Sequence, residues 1–211
     1  MNNKIAALVT TTTFGLICSI STTQSAQAAT FTYNLGGDNA DRSSFVFTPE
    51  GFAEPVLTVT AAEFVNSQNE RRDVRRRSDG LGVIGENDNQ PGQVDGRNGL
   101  NEALVLNFEQ PVTIDSAAFS RLQPNDGFRL VVDGNRLVNK RNNLDNPFNF
   151  SDFPVSDRTG SRFRFTVSQN NDDYRLQSIV ISTSVPETSA ILPLLSLGLI
   201  GLLSYSKTSN F

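Results

Sequence analysis

Arg162 to Val167 alternates strictly between polar and apolar residues: Phe163, Phe165 and Val167 point one way, and Arg162, Arg164 and Thr166 the other. Successive side chains of an extended strand point to opposite faces, so this pattern makes a half-buried strand and suits no helix. The same period of two runs through Leu104, Leu106 and Phe108, and again through Phe128, Leu130 and Val132. Further strands are expected at Phe31 to Leu35, Ser44 to Thr48, Val56 to Phe64, Val112 to Phe119 and Tyr174 to Ser182, with a short one at Leu81 to Ile84. Asp133-Gly134, between Phe128–Val132 and Arg136–Val138, is the strongest hairpin signal in the chain. No internal window offers three turns of helix. The fold class is therefore all-β. Short strands separated by Asn, Asp, Gly and Pro predict a β-sandwich, of jelly-roll and galactose-binding-like type, with a closed barrel as the alternative that pattern alone leaves open.

Residues 66–100 form the long irregular section, rich in glycine at positions 80, 82, 85, 92, 96 and 99. Excursions of that length in compact domains tend to carry function. Asp79, Asp95 and Glu102 flank it and are the candidate ligands of a Ca²⁺ ion, because hard cations take carboxylate and carbonyl oxygens that a Gly-rich loop can turn inward. Turn formation is the competing reading, since Asp-Gly pairs make turns and the spacing matches no EF-hand. Within the same section, Arg71, Arg72, Arg75, Arg76 and Arg77 crowd one run and put arginine on both faces if it is extended. That excludes a core strand and predicts a protected edge or an exposed loop; the functional alternative is contact with an anion such as acidic polysaccharide, because guanidinium forks pair with carboxylate and phosphate. Phe148, Phe150 and Phe153 sit in an Asn/Asp-rich loop and either pack over a sheet edge or form a ligand platform.

The chain has no histidine, and its one cysteine is Cys18. Imidazole-based triads and zinc sites built on imidazole or thiolate are excluded, leaving a carboxylate pair, as in a polysaccharide hydrolase or lyase, as the remaining route to catalysis. No sequence feature selects such a pair, so the domain is read as non-catalytic. A net charge of −4 argues against nucleic acid as a partner.

Both extremities differ from the body. Residues 1–28 combine a positive Lys4, an apolar stretch Ile5 to Ile20, and small residues Ala26 and Ala28 at the −3 and −1 positions of a cleavage site, which is the pattern of a secretory signal helix handled by the secretion machinery and signal peptidase. Lipidation at Cys18 is the alternative, although Gly15-Leu16-Ile17 lacks the flanks such a site uses. Cleavage after Ala28 removes Cys18, so the mature protein folds without a disulfide. At the other end Val185-Pro186-Glu187 precedes an uncharged, Leu- and Ile-rich stretch from Ala190 to Tyr205 and then Lys207, an arrangement suited to a short apolar membrane helix or a processing signal.

This three-part tail, 185–211, resembles the PEP-CTERM sorting signal, in which a Val-Pro-Glu-Pro element, a membrane helix and a basic terminus are read by an exosortase; Thr188 stands where the second proline is usual. The resemblance implies an exosortase-like processing enzyme as partner. Asp79 to Val83, Val94-Asp95-Gly96, Asn101 to Phe108 and Phe128 to Gly134, in that order, also look like a recurring exported cyanobacterial type carrying such tails, a likeness that supplies no activity. The domain between the signals, residues 30–184, is expected to be an interaction component of the cell surface or extracellular matrix, held at the membrane by the tail or released after processing. The alternative is a carbohydrate-binding module for extracellular polysaccharide, with Ca²⁺ as its possible ion.

Overall fold

The computed structural model describes residues 28–49, 52, 55–65, 68–85, 92–97, 100–140 and 142–183. Among these residues the chain is all-β and contains no helix. The strands are β1 Ala29–Asn34, β2 Ala40–Arg42, β3 Ser44–Phe47, β4 Leu57–Val65, β5 Gln68–Arg77, β6 Gly80–Ile84, β7 Val94–Arg97, β8 Leu100–Ser120, β9 Phe128–Val132, β10 Asn135–Lys140, β11 Phe148–Asn149, β12 Thr159–Val167 and β13 Asp173–Thr183.

Antiparallel pairings close a six-strand ring that runs β4, β5, β6, β13, β7, β8 and back to β4. A closed ring leaves none of its members with an unpaired edge, which suits a domain built from short strands. Outside the ring, β12, β9 and β10 continue from β8, β3 continues from β4, and β1 pairs with β13. The closed barrel, left open as an alternative by the sequence pattern, is thus what the hydrogen-bonded pairs draw among the described residues.

The longest element, β8, merges two segments that the sequence reads separately. It pairs with β4 through Phe108 and with β13 from Thr113 onward. Pro111 lies in the interval where these two partners change over, and β12 carries a bulge between Gly160 and Arg162 opposite it. A residue without an N–H is tolerated there because no ladder bond requires one.

The arginine run corrects the sequence reading outright. It is neither an edge nor a loop but β5, a ring strand with β2 on one side of Val74 to Arg76 and β6 on the other. Arginine reaches an inward face because the charge is met there. The Arg72 guanidinium lies 2.5 Å from Glu63 and 2.7 Å from Glu70, with Glu63 only 3% exposed. Arg76 donates to the carbonyls of Leu35 and Gly36 and lies over the rings of Phe45 and Phe47. Val74 between them is fully buried. A paired or stacked guanidinium can occupy a position that an unpaired one could not.

The apolar side chains form one cluster that spans the ring and the β9–β12 extension. Its aromatic centre is Phe119, whose ring meets Phe128, Phe165 and Tyr174 at centroid distances of 4.8, 6.2 and 5.2 Å. The alternating Phe163 and Phe165 of β12 and Leu104 and Leu106 of β8 point into it, as their period predicts.

Candidate functional site

The β9–β10 hairpin turns at Asp133-Gly134, where φ is +45° and +90°, as the Asp-Gly pair predicts. Beyond β10, the chain returns along β8 through β11, which pairs Phe148 with Ala117 and Asn149 with Ser116. Asn146 fastens the return by accepting the Phe119 N–H at 2.9 Å and donating to the Phe119 carbonyl at 2.7 Å. Between β10 and this returning loop lies an open cleft of about 460 Å³, lined by Leu137, Lys140, Asp145, Phe148, Asn149, Asp152 and Phe153 among others.

The three loop phenylalanines divide between core and cleft. Phe150 is fully buried, and its N–H donates to the Asp115 carbonyl at 2.9 Å. Phe148 is half-buried, edge-on to Phe128 and Phe150 at 5.1 and 5.0 Å, and still reaches the cleft. Phe153 is half-buried and lines the same wall. Apolar rings, an amide, an ammonium and two exposed carboxylates around one hollow are groups that accept a polar ligand with an apolar face, such as a sugar ring.

The candidate cation ligands are not gathered into one site. Asp79 lies in the β5–β6 turn, where it binds Arg175 and, at 2.8 Å, Arg121. Those two guanidinium groups hold its carboxyl below the ordinary carboxylate range, against the opposing effect of partial burial, which is the larger single influence. Asp95 on β7 has its N–H bonded to the Glu102 carboxylate at 3.1 Å, so these two residues do meet. Among the described residues, no group of three or more carboxylates, thiols or imidazoles is arranged to hold a metal ion.

Four of the five clustered arginines make contacts within the chain. Arg72 and Arg76 are engaged as described above, while Arg75 and Arg77 both reach Asp41 of β2, at 2.9 and 3.4 Å. Arg71 is exposed. It flanks a shallow hollow with Ser43, Asp73 and Ile84. Of the signal residues, Ala28 is exposed and stands one position before β1, whereas Ala26, Val185, Pro186 and Glu187 lie outside the described residues. Ala29 and Thr183 face each other in register, at the first residue of β1 and the last of β13. No helix among the described residues is long and apolar enough to cross a membrane, and the segments 1–27 and 184–211 lie outside them.

One group was not legible in the sequence. Asn170 to Asp173 reads as a plain polar turn, yet Asp172 is 1% exposed, Asp173 is 9% exposed and Asp126 of the facing loop is fully buried. Asp126 accepts the N–H of Gln123 at 2.5 Å and of Asp173 at 3.4 Å. Asp172 accepts the N–H of Ser168 at 3.0 Å and of Gln169 at 2.5 Å. Burial, which disfavours the charged form, is the main cause raising all three carboxyls, and Asp172 is pushed up to about 6. Only the pairing of the two loops in space could have revealed it. Comparison of the chain with protein families, curated proteins and solved structures finds no match.

Proposed function

We propose that this chain is an exported protein whose β-stranded body is a non-catalytic interaction domain of the cell surface or extracellular matrix. The observation that carries the reading is the pair of apolar extremities, a signal peptide ending at Ala28 and a PEP-CTERM-like tail beginning at Val185. Scission after Ala28 leaves β1 whole, since that strand begins at Ala29. The partners of this reading are the secretion machinery with signal peptidase, an exosortase-like enzyme and the membrane reached through the tail.

The intact mass of the mature protein recovered from cells tests it. The expected product begins at Ala29, and processing at the tail removes residues after the Val185-Pro186-Glu187 element. A product that retains Met1 and the whole of residues 2–28 would overturn the proposal.

The cleft beside Phe148 and Phe153 favours a second reading, a carbohydrate-binding module for extracellular polysaccharide. With it goes the jelly-roll, galactose-binding-like assignment, which the alternation of the strands supports. A glycan array read with and without Ca²⁺ should then show binding that Phe153→Ala weakens about tenfold or more, since a lost ring contact on a ligand removes both area and stacking. Equal binding by the variant, or none by either protein, would count against this reading. A Ca²⁺ requirement would restore Asp95 and Glu102 as candidate ligands. A carboxylate-based hydrolase or lyase would instead turn polysaccharide over, and a single Asp145 or Asp152 change would abolish that turnover.

A further inference from the structure

The outward face of β9, β10 and β12 carries a second group of arginines, separate from the run on β5. On β12, Arg162 and Arg164 share the face opposite Phe163 and Phe165. Register places Arg164 beside Val131 and Thr166 beside Arg129, while Arg136 of β10 also faces Val131. Cross-strand partners share a face, so Arg129, Arg136, Arg162 and Arg164 stand together on one side of three adjacent strands.

Three of these four arginines meet no carboxylate among the described residues. Arg129, Arg136 and Arg162 make no ion pair with any described residue. The carboxylate at the rim, Asp133, is turned to the backbone, accepting the N–H of Ser161 and of Arg162 at 2.9 Å for the latter. Burial, and then the positive charge of Arg162 and Arg129, pull the Arg164 guanidinium below its ordinary value, so the like charges act on one another. Val131 and Arg164 line an open hollow of about 420 Å³ with Arg162 and Gly134. Val131 and Val105 beneath the arginines are 6% and 5% exposed, so this face offers no protruding apolar group for insertion into a bilayer.

We infer that this arginine face is a binding site for an acidic polysaccharide, one bearing carboxylate or sulfate groups along an extended chain. The inference deepens the proposed surface role and rests on it for the setting in which such a polymer is met. The charges do not converge on one point. Arg162 and Arg164 are two residues apart on a strand, about 7 Å, and β10 and β12 are separated by β9, about 10 Å. A single phosphate would be met by converging groups, whereas a polymer with spaced anions matches spaced guanidinium groups. The exposed amide side chain of Asn139 on β10 suits a sugar hydroxyl, and no aromatic side chain stands among the arginines to stack a nucleobase.

The test uses the mature protein and polygalacturonate, with neutral dextran as control, in titrations from low to high NaCl. The expected result is binding to polygalacturonate alone, weakening steeply with salt as exposed charge interactions do. Changing Arg129, Arg136, Arg162 and Arg164 together to Ser should lower the affinity at least tenfold. Because Arg129 and Arg164 are half-buried, the pair Arg136→Glu and Arg162→Glu, both exposed in the native protein, gives the same loss with an unchanged melting curve. Arg71→Ser, on β5, should leave binding as it was. Retained affinity in the Glu pair, equal loss in Arg71→Ser, or binding to anionic lipid vesicles without binding to polygalacturonate would each overturn the assignment. The mass of the protein from cells reports on export independently, so a failure of that reading and a failure of this site are distinguishable.

Discussion

Gly82→Ala is expected to lower the thermal midpoint by roughly 6–12 °C, corresponding to a loss of about 3 kcal/mol or more in a domain of this size. Gly82 lies on β6 opposite Arg75, and its outer side is covered by backbone. A β-carbon there would run into the carbonyl of Gly92 and come within 2.7 Å of the Gln93 Cα. That covering segment cannot easily yield. It is pinned to β6 by the Val83 N–H to the Gln93 carbonyl and by the Gly92 N–H to the Val83 carbonyl, both 3.0 Å, and by Arg175 donating to the Gly92 carbonyl at 2.7 Å. Gly134→Ala is the fitting control, because Gly134 has φ +90° but open space around it. Only the left-handed strain of about 1–2 kcal/mol should appear there. Thermal melts of both variants decide the matter: equal small losses would mean that the 92–93 segment moves aside and that the close approach is dispensable.

Raising the pH from 4 to 8 is expected to destabilise the fold, with the steepest loss between about pH 4 and 6 and little further change above it. Asp172 ordinarily titrates near 3.8 and in the fold is pushed up to about 6, by burial first and by the negative Asp126 second, with the backbone N–H groups of Gln169, Ser168 and Gly127 opposing. The folded state therefore binds this proton more tightly than the unfolded chain does. Its stabilising contribution is present below the unfolded value and is lost as the pH climbs through the folded one, up to about 3 kcal/mol for a difference of that size. Asp126 and Asp173 are raised in the same direction, Asp173 partly held back by Arg121. Asp172→Asn keeps an oxygen for the Ser168 and Gln169 N–H groups and removes the titration. Denaturant unfolding at pH 4.5 and 8 should show a much smaller difference between the two pH values in this variant than in the unaltered protein. An unchanged pH slope would show that Asp172 does not carry the effect.

Strands that alternate cleanly were legible residue by residue. Phe128 to Val132 is β9 with the same bounds, and Phe163, Phe165 and Val167 all face the interior of β12. Their pattern is local, because a strand with one wet face and one dry face writes its own period into the sequence. Strands β5 and β7 were missed for the opposite reason. Their polar groups are satisfied across neighbouring strands, as Arg72 is by Glu63 and the Asp95 N–H by Glu102, and a period of two in apolar residues does not reveal such a partner. The cleft beside Phe153 was half legible: its residue types stood out in the loop, while the division between buried Phe150 and cleft-facing Phe148 needed the β11 pairing with β8.

By itself the sequence determined the all-β class, the Asp-Gly hairpin, the absence of imidazole chemistry and the contrast between apolar extremities and an alternating body. These depend on residue type and on spacing over a few positions. Closure of the six-strand ring, the inward arginines of β5, the buried acids at Asp126 and Asp172 and the arginine face across β9, β10 and β12 were decided only in three dimensions. Each is a relation between strands or loops distant in the chain, and whether a charge is buried, paired or left facing water depends on which neighbour the register brings beside it.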